Sequence, residues 1–477
     1  MLGRITFLFV STFLFSNSLV AQQKWNLLQC IQYAMDNNLL VKQAQIQTRL
    51  SELVLKQSKL SQYPNLTFGN NIAYSSGRNQ DPTSFSLITK GYLSSSMSLQ
   101  TGVELFNWYS KRNTIAANII EVDAAKAAVE KQRSDLALIV ANAYLQILLA
   151  KEQAKIAGVQ LQQSQAQLAN IRKLVRAGAL PELNAAELEA QVATDSANVI
   201  SARGNVDINF FFLKTYMNID ASQPMEIEEP PAANIPVENI VDLQPEIVYA
   251  LALKNLPQQR VNDLKYLSAQ KMSQALRGAM MPTISMFGSL GSSYNNQAVN
   301  VNGVTTFFAP IGKVSVGGTS YDVLPIQPFS NYTYGKPGLF SQYGDNFRQS
   351  VGISINVPVF NGGTLRTNYE RSKLNIESLG LQKEQDNQKL KQDIYQAYNA
   401  ALIAMEKFNA SKKIVEAAQR TYDFSSKRFN VGMLSTFELN TNQNNLYKAK
   451  LELVLNQFDY VFKAKVLEFY KGQGLKL

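Results

Sequence analysis

The chain is written twice, and this repetition limits its possible folds more than any other feature. Phe106-Asn107 aligns with Phe360-Asn361 at a separation of 254 residues. Without a gap, the same separation pairs Ala143-Tyr144 with Ala397-Tyr398, Gly178 with Gly432, Leu180 with Leu434 and Tyr216 with Tyr470. Upstream the separation is 218, pairing Ala34 with Ala252, Asn37 with Asn255 and Pro64 with Pro282. The second half therefore carries 36 extra residues between these blocks. A duplicated unit, about 25–216 and 245–470, accounts for both registers. A Pro-rich, acidic stretch from Glu226 to Pro236 joins the copies. The expected divisions are a first unit over 22–244, with a linker over 217–244, and a second unit over 245–477.

Each unit reads as helix, two strands and very long helices. Helical spacing of Leu27, Ile31, Ala34, Met35, Leu39, Ile46, Leu50 and Leu53 predicts a helix over 26–62, ended by Pro64. Its counterpart is expected over 245–280, ended by Pro282. Period-two patterns follow. Leu66, Phe68, Ile72 and Tyr74 share one face, and Met97, Leu99, Val103 and Leu105 share another. Ile284, Met286 and Leu290, then Val351, Ile353, Ile355, Val357 and Val359, repeat them. Strands are expected at about 65–76, 96–106, 283–294 and 346–359. The segments between, 77–95 and 297–345, are rich in Gly, Ser, Asn and Tyr and read as loops.

From Asn107 to Arg176 there is no Pro and one Gly, and 361–430 repeats this length. About 70 residues of continuous helix would run ~105 Å. Stripes such as Leu136, Ile139, Val140, Ala143, Tyr144, Ile147 and Leu148 are the seams of packed helices. Ala177-Gly178-Ala179-Leu180-Pro181 and Val431-Gly432-Met433-Leu434-Ser435 then turn the chain, with Gly supplying the left-handed cap. Helices 182–216 and 436–470 run back antiparallel. Tyr144 and Tyr398 read as packing residues. Pro358 marks the bend from strand to helix.

Composition removes several functions. With no His and one Cys among 477 residues, Ser-His-Asp and Cys-His systems, disulfide frameworks and His- or Cys-ligated metals are excluded. No phosphate-binding Gly loop ending in Lys-Ser/Thr is present. Glu228-Glu229 lies in the linker, without a rigid frame. The chain reads as no enzyme, and no cofactor or metal is implied. The net charge of +10 is scattered along the helices without an aromatic-interleaved basic cluster, so nucleic acid is not a partner. Arg4, the apolar run Ile5 to Val10 and the residues to Ala21 read as a secretory signal peptide, 1–21. Cys30 is expected on the buried face of the first helix rather than at a lipidation site. No later stretch is apolar enough for a transmembrane helix. In an exported chain, the alternating segments fit membrane strands, apolar toward lipid and polar toward a lumen. Four strands cannot close, so copies must pool theirs. Two copies give eight and three give twelve, and the pattern does not choose.

The signal peptide, the duplicated unit, Pro-Val-Phe-Asn-Gly-Gly (358–363), Trp25-Asn26-Leu27-Leu28-Gln29-Cys30 with Ala34-Met35-Asp36-Asn37-Asn38, and Arg428-Phe429-Asn430-Val431-Gly432 together resemble the TolC-type outer-membrane efflux proteins. The resemblance spans essentially all of 25–472. It implies a mixed α and β membrane protein. In a homotrimer, four strands per chain would build a twelve-stranded outer-membrane β-barrel, continued by a periplasmic α-helical barrel. It implies an exit duct of a tripartite efflux or secretion system in a Gram-negative outer membrane, with a periplasmic adaptor and an inner-membrane transporter as partners. It also implies a periplasmic aperture just after the Gly turns. Six positions beyond Gly432 stands Glu438, matching the family's charge, while Thr441, nine beyond, departs from it. Asn184 and Glu187 occupy the corresponding places in the first unit. Three carboxylates on a narrow axis would attract cations and push some of their pKa values up. Glu438 and Glu187 also suit ordinary carboxylates near helix N-termini. The turns themselves, with Gly178, Leu180, Gly432, Met433 and Leu434, correspond to the family's adaptor-docking points, the three apolar residues being expected exposed. The competing reading is an exported, barrel-anchored coiled-coil scaffold or adhesin without a transport role.

Overall fold

The computed structural model describes residues 24–81, 85–230 and 235–472. The expected signal peptide and part of the linker, including Pro231, lie outside them. The elements run α1 (Leu27–Asn37), α2 (Leu39–Leu60), β1 (Asn65–Gln80), β2 (Leu87–Phe106), α3 (Ser110–Arg176) and α4 (Glu182–Met217). Then come α5 (Pro245–Asn255), α6 (Pro257–Gly278), β3 (Thr283–Asn295), β4 (Asn300–Phe307), β5 (Gly312–Val316), β6 (Thr319–Val323), β7 (Phe329–Gly335), α7 (Leu339–Asp345), β8 (Arg348–Asn356), α8 (Thr364–Asn430) and α9 (Thr436–Tyr470). Helices α3 and α8 each have 67 residues, α2 and α6 each 22, and α1 and α5 each 11.

The described residues fall into two compact units, each drawn from both halves of the sequence: those up to 52 with those in 120–267 and from 377 on, and those in 53–119 with those in 268–376. The first is helical. Ten of its deepest side chains occupy matching repeat positions: Cys30 and Val248, Ala34 and Ala252, Val140 and Ile394, Ile147 and Ala401, Leu213 and Leu467. All ten are wholly buried. They seed two clusters, one around α1, α3 and α4 and one around α5, α8 and α9. Burial pushes the Cys30 thiol up to about 12. Tyr144 is buried too, and its hydroxyl donates to the Glu228 carbonyl at 2.7 Å. The same stretch forms a parallel bridge between Trp25 and Ile227, so one phenol fastens the linker to the chain's beginning. Tyr398 is half-buried against the second cluster. One window of α3 is long and apolar enough to cross a membrane, against the sequence expectation. More than half of it is buried, with Leu136 to Ala150 supplying much of the core.

The helices expected over 26–62 and 245–280 are each broken in two. Asn38 caps α1 in extended conformation, donating through its amide to the Tyr216 carbonyl at 2.8 Å. Leu256 is extended because Pro257 bars the helical region to the residue before it.

The second unit holds a four-stranded antiparallel sheet, ordered β1-β2-β3-β8. The register puts Phe68 opposite Leu99, Leu99 opposite Leu290, Val103 opposite Met286, and Met286 opposite Ile353. One face therefore carries Leu66, Phe68, Ile72, Met97, Leu99, Val103, Ile284, Met286, Leu290, Val351, Ile353 and Ile355. The other carries Thr67, Asn71, Ser98, Gln100, Ser285, Ser289, Ser350 and Ser354. Most of the large apolar side chains on the first face are exposed, and no strand covers the outer edge of β1 or β8 among the described residues.

The structure departs from three loop and strand expectations. Residues 77–80 and 87–95 continue the β1–β2 hairpin, paired from Gly77 with Lys90 to Gln80 with Leu87. The segment 297–345 holds two further strand pairs, β4 with β7 and β5 with β6, and α7. Strand β8 stops at Asn356, two residues before Pro358. The long helices begin at Ser110 and Thr364, three residues later than expected, for one shared reason. Trp108 and Tyr109 have φ of 50° and 61°, and Gly362 and Gly363, at the matching repeat positions, have 67° and 78°. Two consecutive left-handed residues turn each strand into its helix. Gly278 makes room for the first turn, since a Cβ there would lie 2.7 Å from the Trp108 carbonyl.

Replacing Ile147 by Ala is expected to cost about 2–5 kcal/mol. Ile200→Ala, at an exposed position, is expected to stay within ~0.5 kcal/mol. Chemical unfolding of the detergent-solubilised protein compares the two.

Candidate functional site: the two helical turns

Both turns close in the same way. Gly178 (φ 72°) and Gly432 (φ 76°) are left-handed. Gly178 N–H donates to Val175 and Ala179 N–H to Leu174, both at 2.9 Å. Gly432 N–H donates to Phe429 and Met433 N–H to Arg428, again at 2.9 Å. This pair of bonds is the Schellman ending of a helix, and a Cβ would be strained at either glycine.

The restarts differ. Pro181 caps α4 without a side-chain bond. Ser435 caps α9 in a full capping box: Glu438 N–H donates to Ser435 Oγ at 3.2 Å, and Ser435 N–H donates to the Glu438 carboxylate at 3.1 Å. The Ser435 backbone bond, then its hydroxyl, hold the Glu438 carboxyl below the ordinary carboxylate range, and Arg428 adds to this. Within one chain the cap sets the direction, whereas the upward push expected of clustered carboxylates needs several copies. Glu187 is half-buried on α4. Thr441 is exposed, and its hydroxyl donates to the Phe437 carbonyl at 2.8 Å within its own helix. Asn184 is half-buried and donates to Thr436 Oγ1 at 2.8 Å, tying the start of α4 to that of α9.

Further along, Gln191 and Asn444 exchange amide hydrogen bonds at 3.2 and 3.0 Å. Gln191 also donates to Asp195 at 2.9 Å, and the buried Ser164 donates to the same carboxylate at 2.6 Å. These α4–α9 ties were not legible in the sequence. Gln191 and Asn444 stand 253 apart, one residue off the repeat register, so alignment of the units does not pair them.

The exposed apolar set also differs from expectation. Leu180 and Leu434 are half-buried, and Leu180 packs against Leu168, Ile171, Ala185 and Leu188. Met433 is exposed as expected, and Leu183, Val431 and Phe437 are exposed with it. Leu183 and Phe437 are repeat equivalents, a signal the sequence did carry. Among the described residues no group of three or more His, Cys, Asp or Glu is placed to hold a metal ion.

Ser435→Ala is expected to cost α9 about 0.5–2 kcal/mol and to return the Glu438 carboxyl toward its ordinary range. A depressed carboxyl contributes stability above its unfolded value and loses it as pH falls through the folded one. The gap between wild type and variant should therefore narrow in strong acid. Carboxyl carbon chemical shifts and unfolding at neutral and acid pH check both statements.

A family model described as outer membrane efflux protein matches residues 30–218 and 248–472. The chain is 22% identical over 444 residues to outer membrane protein TolC of Escherichia coli (strain K12), covering 92% of this chain and 80% of that one. It is 21% identical over 369 residues to outer membrane efflux protein BepC of Brucella suis biovar 1 (strain 1330), covering 77% and 70%. Its fold is similar to that of CusC, with a TM-score of 0.72 at 15% identity over 95% of this chain and 93% of that one. It is also similar to that of VceC from Vibrio cholerae, with a TM-score of 0.71 at 14% identity over 94% and 97%. Two matched spans interrupted only at the linker, and a mostly helical fold shared with outer-membrane channels, lead to one conclusion: this chain belongs to the outer membrane efflux protein family.

Proposed function

We propose that three copies of this chain assemble into the outer-membrane exit duct of a tripartite efflux or secretion system. The family is one of channels rather than enzymes, and its place is the outer membrane. The observation that carries the pooling of strands between copies is the sheet: four strands, one apolar face and two edges uncovered among the described residues. In lipid every backbone group needs a partner, so β1 of one copy must meet β8 of the next. Nine residues of β8 span ~30 Å along the strand, about 23 Å when tilted by roughly 40°, close to the apolar band of a barrel. Twelve strands leave a lumen, whereas eight would be filled by side chains. The polar face, with its serines and Gln100, lines that lumen. A barrel-anchored scaffold or adhesin would need the long helices and a barrel, but no open lumen.

The helical unit would continue the duct into the periplasm. The aperture would lie at the turns, with Glu438 and Glu187 facing the passage and Asn184 and Thr441 beside them. The ties from Asn184 to Thr436 and from Gln191 to Asn444 support a closed resting tip. A periplasmic adaptor would dock on the tips around Gly178 and Gly432. It would bury Met433, Val431, Leu183 and Phe437 while Leu180 and Leu434 hold the turns in shape. An inner-membrane transporter would supply the energy.

Cysteine placed at Asn71, with a second scanned over Ser350, Gly352 and Ser354, should crosslink neighbouring copies on oxidation. The denaturing-gel ladder is expected to end at three; an end at two sinks the twelve-stranded barrel. In planar bilayers the protein should show a small cation-preferring conductance that rises in Glu438→Ala/Glu187→Ala. A pore indifferent to both changes removes the carboxylates from the gate and leaves the duct standing.

A further inference from the structure

We propose that α7 is an anchor lying in the outer boundary of the membrane, its apolar side chains dipped among the acyl chains just below the lipid phosphates. The proposal rests on reading the sheet's apolar face as lipid-facing.

This seven-residue helix sits where β8 has not yet begun, and it is fixed to the sheet by side-chain and backbone bonds. The buried Gln342 accepts from Asn295 N–H at 2.9 Å and donates to the Pro337 carbonyl at 2.9 Å. Ser292 Oγ donates to the Tyr343 carbonyl at 2.7 Å, and Asn346 donates to the Ser293 carbonyl at 2.7 Å. The Tyr343 hydroxyl donates to Ser95 Oγ at 2.9 Å. The face it covers is decided by register. Ser95 pairs with Tyr294 and Met97 with Ser292, which places Ser95 and Ser292 on the face that carries Met97, Leu99 and Leu290. Ser95 is the one buried residue of β2, because Tyr343 lies over it. The helix therefore docks on the apolar face, at the end of the sheet away from the long helices, and closes the apolar band there.

What α7 leaves uncovered suits a lipid boundary. Phe340 is 87% exposed, and Leu339 and Phe347 are also exposed. In a rim pinned this firmly, three large apolar side chains facing water would have no stabilising role. Lys336 and Arg348 flank the segment, both exposed, and neither makes an ion pair among the described residues. Apolar residues between two cations match acyl chains below anionic headgroups. A short helix in this role adds depth control: it fixes how far the barrel sinks, since its bonds to Ser95, Ser292 and Asn295 do not let it slide.

The test uses nitroxide labels on single introduced cysteines in the full chain reconstituted in bilayers. The native Cys30 is wholly buried in the folded protein and stays unlabelled. Labels at Phe340→Cys, Leu99→Cys and Ile326→Cys report collision with oxygen, enriched in lipid, and with a nickel chelate, confined to water. Phe340 is expected to read between the other two, with severalfold less nickel access than Ile326. A Phe340 label as open to nickel as that at Ile326 overturns the anchor while Leu99 stays lipid-like. A Leu99 label open to nickel overturns the lipid-facing sheet and the anchor with it. Should Phe340→Cys fail to assemble, Leu339→Cys takes its place and is read against the same two references.

Discussion

Backbone groups in hydrocarbon have no water to turn to, and this one constraint organises much of the molecule. A sheet of four strands with an apolar face satisfies only its inner hydrogen bonds. Its edges at β1 and β8 ask for more strand. A single chain of this kind is unfinished in a membrane, however complete its helical core. The alternation of side chains suits the proposed barrel, in which every second residue would meet lipid and every other one the lumen. The helical unit escapes the constraint, because its backbone is satisfied within each helix, and it can be built from ordinary seams of Leu, Val and Ala.

Duplication solves the packing problem once and uses the answer twice. Five pairs of repeat-equivalent residues belong to the deepest layer of both clusters. Two pairs are identical, Ala34 with Ala252 and Leu213 with Leu467, and three are not. Ile147 corresponds to Ala401, and Cys30 to Val248. Volume lost at one position must be regained by neighbours, since interiors are close-packed. Tyr144 and Tyr398 show how far the copies have drifted. The first is sealed and bonded to the linker carbonyl, whereas the second is only half-covered.

The architecture was legible because its signals are long. A 67-residue helix without Pro and strands with strict alternation leave little room for error, and the two registers check each other. What escaped was short or polar. Residues 77–80 continue a strand beyond the apolar band, where no face needs to be hydrophobic, so Gly77, Arg78 and Gln80 look like loop. The seven residues of α7 are fewer than two full turns and carry no readable period. Pro257 was visible, yet its effect on Leu256 was subsumed in a longer helical pattern. At the turns, the glycines were plain from sequence, but the direction of Leu180 was not, because packing against Ile171 and Leu188 depends on how α3 and α4 fold back. Glu438 shows a different limit. The Ser435-x-x-Glu438 spacing is a capping signature, and charge at that position serves the helix start whether or not it also faces a passage.

The joints between strand and helix have a mechanical consequence. Both copies turn through two left-handed residues, but one uses Gly362-Gly363 and the other Trp108-Tyr109. Glycines reach that conformation freely and leave it as freely. A tryptophan and a tyrosine are held there only by surroundings such as Phe106, whose ring lies 5.4 Å from that of Trp108. Each chain thus carries one compliant elbow and one stiff one. Torque applied to the long helices would be taken up at the glycine elbow, while the aromatic elbow transmits it, so that the two repeats of one chain would not yield alike.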